Sequence, residues 1–276
     1  MIISVIITSY NSFTKKNGSI ETVLAALECQ NDADFEIIVV DNNSSADDYQ
    51  RLQQFVERNK QFRIPIKVIR NWQNNIAAGR NLGINNSIGD TIIFIDDDII
   101  LTKQGIIKQI SELSELYPYG YSATREWTKA GWYEKNKSAL DDCFLSASFE
   151  FPILVEDPIP EIRKKKNARH LVRTYFGCFG FARRSVLDCV GNWDEKYEGY
   201  GLEDDAIILA LFLQYGRPLL LDMIRVVHIW HGLLPSNYNE LQKNQQRFNS
   251  ILHSQGIKTF HIGRLLYGEA EVMEYL

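Results

Sequence analysis

What this chain lacks narrows its class before any motif is read. No stretch of it approaches the ~20 apolar residues that a membrane span needs. Its cysteines, Cys29, Cys143, Cys178 and Cys189, form no CxxC pair. A structural zinc site is therefore not expected, and they read as reduced core or surface thiols. Positive charge is not in excess: 30 Lys and Arg stand against 35 Asp and Glu, a formal net charge of −5. That balance argues against nucleic acid as a partner. There is no internal repeat and no low-complexity segment. The first apolar run is not followed by GxGxxG, so the dinucleotide fingerprint is absent. The opening MIISVIITSYN has no basic lead and no small-residue cleavage site, so a secretory signal is not expected and the expected compartment is the cytoplasm.

What is present is an ordinary globular balance, 45% hydrophobic and 24% charged over 276 residues. That length suits one large α/β domain or two small ones. IISVIIT (2–8) and FEIIVVD (35–41) are continuous β-branched runs, the pattern of strands buried on both faces. A third strand is expected at 66–70. A fourth, TIIFIDDDI (91–99), runs into three aspartates. Helical spacing falls between them at 19–28, 47–59 and 76–87, with Gly79 and Gly83 weakening the last slightly. The alternation predicts a doubly wound, mostly parallel sheet flanked by helices. Ligands of such sheets bind beyond the carboxyl ends of the strands. Here those ends are 8–11, 41–44 and 96–98, all on one rim.

Beyond residue 105 the pattern changes, so the chain divides into 1–105 and 106–276, two halves of one domain with a smaller region in the second. A helix is expected at 106–116, a strand at 175–181, and helices at 184–190, 202–215 and 238–252. One or two strands are expected within 219–231. Residues 117–176 mix strand-like pieces with loops. They hold FPILVEDPIP (151–160) and the basic run RKKKNARH (163–170), which reads as a surface loop. That run could also attract an anionic or lipid-linked acceptor, or the membrane surface.

Three groups carry candidate chemistry. Asp96, Asp97 and Asp98 are adjacent like charges, which a fold keeps together only where something offsets their repulsion. A hard divalent cation, Mg2+ or Mn2+, shared with substrate phosphates, is the usual means; a solvated acidic strand end is the alternative. Side-chain alternation would put Asp96 and Asp98 on one side of the strand. Glu203, Asp204 and Asp205 open an apolar helix after a glycine-broken, aromatic loop. The helix dipole favours carboxylates there, and a carboxylate in such a pocket can also act as general base toward a hydroxyl. His228 and His231 flank Ile229 and Trp230. Imidazole is a good ligand for Mn2+-like ions, whereas a lone His in an apolar strand is usually a satisfied core residue.

With these groups in order, the chain resembles the family 2 glycosyltransferases of the GT-A (Rossmann-like) fold. The matching pieces are VIITSYN (5–11), IIVVDNNS (37–44), AAGRNLGIN (77–85) and FIDDD (94–98). Residues 178–216 look like the acceptor half of galactosyl- and N-acetylgalactosaminyltransferases, in which a GWGGED-type motif precedes a helix. Tyr200 and Leu202 stand here in place of the Trp and a Gly. IRVVHIWH (224–231) resembles the segment that supplies a metal-binding histidine in that group.

The resemblance implies a UDP-sugar donor, a glycan or glycoconjugate acceptor, and inverting transfer of a hexose or N-acetylhexosamine dependent on Mn2+ or Mg2+. It implies that Asp41 binds the nucleotide base, that Thr8, Tyr10 and Asn11 line the nucleotide pocket, and that Arg80 sits near base or diphosphate. Asp96 would contact ribose or sugar, with Asp97 beside it at the donor. Asp98 and His228 would hold the metal, with His231 a weaker candidate. Asp204 takes the position of the general base and Glu203 binds sugar or acceptor. Two rivals remain at this level: a nucleotidyltransferase, and an inactive nucleotide- or glycan-binding protein.

Overall fold

The computed structural model describes residues 2–60, 62–122, 126–128, 131, 133–137, 176–199, 201–221, 223–229, 238–261, 265 and 271–276. The expected loop with its basic run (163–170) and His231 lie outside these residues.

The first part of the chain folds as its hydrophobic pattern requires. β1 (Ile3–Ser9), β2 (Phe35–Asn42), β3 (Ile66–Asn71) and β4 (Thr91–Asp96) lie in the order β3-β2-β1-β4, all parallel. β1 is central and every one of its residues is buried, which is why its sequence is apolar without alternation. Between the strands run a short helix α1 (Ser12–Lys15), then α2 (Ser19–Glu28), α3 (Ala46–Arg58) and α4 (Ile76–Asn85). Two of these have side-chain N-caps. Ser45 accepts from the Asp48 N–H at 3.2 Å, and Asn75 from the Ala78 N–H at 2.9 Å.

The second part adds β5 (Ile99–Leu101), α5 (Ile106–Leu116), β6 (Tyr119–Tyr121), β7 (Glu126–Trp127), β8 (Phe179–Arg183), α6 (Arg184–Val190) and α7 (Glu203–Tyr215). It closes with β9 (Leu219–Leu220), β10 (Val226–His228), α8 (Tyr238–Ser254), β11 (Ile257–Phe260) and β12 (Met273–Tyr275). β8 joins the main sheet antiparallel to β4, followed by β6 and β9, making seven strands. The main sheet thus draws on both parts of the chain. A small sheet, β5-β10-β7, stands beside it. No helix among the described residues is long and apolar enough to cross a membrane.

The core has two layers, one on each face of the sheet. Ile3, Val5 and Ile7 of β1 pack toward α2 and α5, while Ile6 belongs to the layer under α4, α6, α7 and α8. Gly83 shows how closely α4 lies on the sheet. A Cβ there would stand 2.5 Å from the Ile6 Cγ2 methyl. The glycine that weakens the helix by propensity is therefore what lets it pack.

One expected strand comes out differently. The run 91–99 is not one strand. β4 ends at Asp96, Asp97 and Asp98 form a turn, and β5 belongs to another sheet. The backbone partners change there: the Asp96 N–H donates to the Cys178 carbonyl (3.0 Å), and the Asp98 carbonyl accepts from the Ile229 N–H (2.8 Å). Strand alternation therefore does not set where Asp96 and Asp98 point. The one or two strands expected within 219–231 are two, β9 and β10, in different sheets, with the Ile224 N–H donating to the Leu221 carbonyl (2.8 Å) between them.

Candidate active site

The carboxyl ends of β1, β2 and β4 form a continuous rim. In register, Ser9 lies opposite Asp41 and Thr8 opposite Asp96. Asn11 leaves β1 in a left-handed conformation, φ 51°, and ties two loops together. Its N–H donates to Ser44 Oγ and its side-chain oxygen accepts from the Ser45 N–H, both at 2.8 Å. Asp41 is buried at the end of β2, with Arg70 Nε 3.4 Å from its carboxylate. Burial raises the Asp41 pKa, and Ser44 and Arg70 oppose that rise. Tyr10 lies at the mouth of this rim with the Lys15 ammonium 4.5 Å from its ring centroid. Thr8, Tyr10, Asn11 and Asp41 are thus brought to one edge.

The three aspartates have three different surroundings. Asp97 is buried, with one oxygen accepting from Ser9 Oγ (2.9 Å) and the Tyr10 N–H (3.3 Å) and the other from Lys16 Nζ (2.6 Å). Asp98 is also buried, with Oδ2 at 2.8 Å from the same Lys16 ammonium and Oδ1 at 2.9 Å from His228 Nε2. Asp96, less buried, faces Arg80 at 3.7 Å. Burial by itself lowers the Lys16 pKa, but Asp97 and Asp98 outweigh it and hold the ammonium well above the ordinary lysine range.

His228 reaches Asp98 because β10 pairs with β5, setting His228 against Ile99. A carboxylate oxygen and an imidazole nitrogen facing each other are a fitting pair of donors for Mn2+ or Mg2+. No group of three His, Cys, Asp or Glu suited to a metal occurs among the described residues. Among the described residues a cation would find these two ligands, with the rest of its coordination left to other oxygens.

The second carboxylate pair comes from the start of α7. The chain enters it through Gly199, Gly201 and Leu202, all at positive φ. Leu202, φ 72°, adopts the left-handed conformation that glycine tolerates better. Asp204 Oδ1 accepts from Arg80 Nη1 (2.9 Å) and from the Gly177 N–H (3.2 Å). Glu203 lies 3.5 Å from the same Nη1. The helix dipole favours such carboxylates, but the arrangement does more than cap: one guanidinium touches Glu203 and Asp204 on one side and Asp96 on the other.

Arg80, expected near base or diphosphate, is 2% exposed and packed between these carboxylates. Its guanidinium lies 5.4 Å from the centroid of the Trp193 ring, and any side chain at Gly177 would overlap it. Burial pushes the Asp96 and Asp204 pKa values up to about 6 each, against the pull of Arg80. Glu203 is raised for the same reason. Sequence reasoning gave no role to Gly177, placed Ser9 only within the rim 8–11, and weighed Lys15 and Lys16 only as the lysines a nucleotidyltransferase would need near the first strand.

The fold defines the class. This is a GT-A-like glycosyltransferase architecture: S. aureus TarS in complex with UDP superposes with a TM-score of 0.57 at 17% identity, covering 89% of this chain and 64% of that one. A mannosyltransferase from Pyrobaculum calidifontis, in complex with GDP-Man and Mn2+, gives 0.56 at 13% identity, covering 88% and 60%. Residues 4–191 match the model of glycosyl transferase family 2, and the chain belongs to that family. It is similar to the amylovoran biosynthesis glycosyltransferase AmsB of Erwinia amylovora, 28% identical over 185 residues, 67% of this chain and 54% of that protein. The chain spans between 15% and 54% of the length of the curated relatives it matches.

Proposed function

We propose that this chain transfers a hexose or N-acetylhexosamine from a UDP-sugar to an acceptor hydroxyl of a glycan or glycoconjugate, with inversion and with dependence on Mn2+ or Mg2+. One observation carries the reading: Arg80 joins Asp96, at the end of β4 two residues before the Asp98–His228 pair, to the Glu203–Asp204 pair. Transfer needs a place for the leaving diphosphate and a separate base for the acceptor, and this arrangement offers both. The UDP and the GDP-Man with Mn2+ held by the two structural neighbours support a nucleotide-sugar donor and a divalent cation. The amylovoran role of AmsB is in keeping with polysaccharide synthesis.

In this reading Asp41 binds the base, Thr8, Tyr10 and Asn11 line the nucleotide pocket, and Asp96 contacts ribose or sugar. Asp98 and His228 hold the cation, which when bound supplies positive charge to the departing diphosphate. Asp204 takes the acceptor proton. Hydrogen bonds from Arg80 and from the Gly177 N–H hold its Oδ1 and fix the carboxylate for that role. Glu203 binds acceptor or sugar. The galactosyl- or N-acetylgalactosaminyltransferase likeness of residues 178–216 suggests the sugar class.

Nucleoside diphosphate release from UDP-sugars, with and without chelator, tests this. Turnover undiminished by chelator would remove the metal from the proposal. Asp204→Asn is expected to lower kcat by about 10²–10⁴-fold, the usual contribution of a positioned base; near-normal turnover would remove Asp204 from that role. Release of pyrophosphate would instead point to nucleotidyl transfer. The side chains nearest to such a role are turned elsewhere: Lys16 onto Asp97 and Asp98, Lys15 over Tyr10.

A further inference from the structure

Lys16 is not an ordinary surface lysine. Its side chain is 15% exposed and its ammonium sits 2.6 Å from Asp97 and 2.8 Å from Asp98, residues more than eighty positions further along the chain. The backbone is bent to put it there. Asn17 and Gly18 follow it at φ 53° and 74°, both left-handed. The Gly18 N–H closes the turn on the Ser12 carbonyl at 2.8 Å, and the Ser19 N–H closes it on the Lys16 carbonyl at 3.0 Å. At φ 74° Gly18 adopts a conformation in which any other residue would be strained.

The ammonium and His228 divide the Asp98 carboxylate between them. Lys16 takes Oδ2 and His228 faces Oδ1. A cation held by Asp98 Oδ1 and His228 would therefore lie on the same carboxylate as a fixed positive charge. In a buried site such a charge opposes a second cation strongly. An arriving diphosphate brings negative charge that offsets it.

We propose that Lys16 is the resident counter-cation of Asp98, a positioning residue that orients its carboxylate and makes divalent-cation binding depend on the nucleotide diphosphate. It rests on the reading of Asp98 and His228 as metal ligands. Cation and nucleotide then bind with positive coupling, each raising the affinity of the other by the same factor.

The experiment is Mn2+ titration, followed by the electron paramagnetic resonance of the free ion, with and without UDP. Wild-type protein is expected to bind Mn2+ weakly alone and about tenfold or more tightly with UDP, the range of ordinary coupling free energies. Lys16→Met is expected to bind Mn2+ alone about tenfold tighter than wild type, and its UDP effect to shrink by a similar factor. Lys16→Arg, which keeps the charge, is expected to follow wild type. Lys16→Gln drops the charge but keeps a polar group, and gives the same reading should the apolar variant unfold. If the uncharged variants bind Mn2+ alone no better than wild type while Mn2+ still binds with UDP, the inference fails and the metal pair stands. If Mn2+ binds in no combination, or Asp98→Asn binds it as well as wild type, the metal reading fails and the inference with it.

Discussion

At the scale of the residue, Arg80 decides the most. Removing its guanidinium, as in Arg80→Met, leaves Asp96, Glu203 and Asp204 buried without their shared cation. Breaking a buried pair from one side costs about 3–5 kcal/mol, and urea unfolding at neutral pH is expected to show a loss of that order. Lys is expected not to restore it, because a single ammonium cannot reproduce the planar fork that reaches both sides. The loss has a pH sign. Asp204 and Asp96 already have native pKa values raised to about 6 by burial. Their folded forms bind protons more tightly than the unfolded chain, so their contribution to stability is greatest in acid and declines as pH rises toward 6. Without Arg80 protonation relieves more repulsion, so the variant's deficit should be smaller at pH 4.5 than at pH 7.5. Catalysis runs the other way: a base must be ionised, so kcat/KM is expected to fall below about pH 6. An acid limb near pH 4 would remove Asp204 as its source.

The clusters themselves were legible because adjacent carboxylates need an explanation wherever they occur. Their partners were not. Lys16 meets Asp97 81 positions away and Arg80 meets Asp204 124 positions away in sequence, and no local pattern encodes contacts of that span. Asp97 looked like its neighbours in sequence but is held by Ser9, Tyr10 and Lys16 inside the protein.

At the scale of the element, strands buried on both faces and the helices between them announced themselves, since their periodicity is local. The break between β4 and β5 did not, because the groups that pair the backbone there, Cys178 and Ile229, arrive from the second part of the chain. Small strands such as β6 and β9, three and two residues long, have too few positions for a period to show. Gly83 shows propensity overruled by packing. Gly83→Ala should gain helix propensity, yet the close Ile6 methyl predicts a net loss of about 1–3 kcal/mol, as overpacking usually costs. Thermal or urea unfolding measures it, and a stabilised variant would show that α4 can shift outward. Leu202 is a related case. Where the resembled motif carries glycine this chain carries leucine, and the backbone keeps the left-handed turn that aims Glu203 and Asp204.

At the scale of the molecule, the main sheet carries β1, β2 and β4, whose ends form the rim, together with β8, β6 and β9 from the later chain. Ligands that bind only the native state raise its melting temperature. Mn2+ with UDP is therefore expected to raise Tm by more than the sum of either alone, a measure of the whole fold rather than of one contact. Additive shifts would mean that the two sites do not communicate.

The site is also an anion. Among the described residues, these five carboxylates, Asp96, Asp97, Asp98, Glu203 and Asp204, pair with two permanent cations, Lys16 and Arg80. A nucleoside diphosphate approaching with no metal present meets a surface of its own sign. Added salt ordinarily weakens the binding of a charged ligand to its site; here, in chelator, it should strengthen it, because screening within about 10 Å at 0.1 M ionic strength relieves repulsion rather than attraction. UDP affinity that falls with potassium chloride under chelation would mean that other positive groups of the chain govern the approach of the donor.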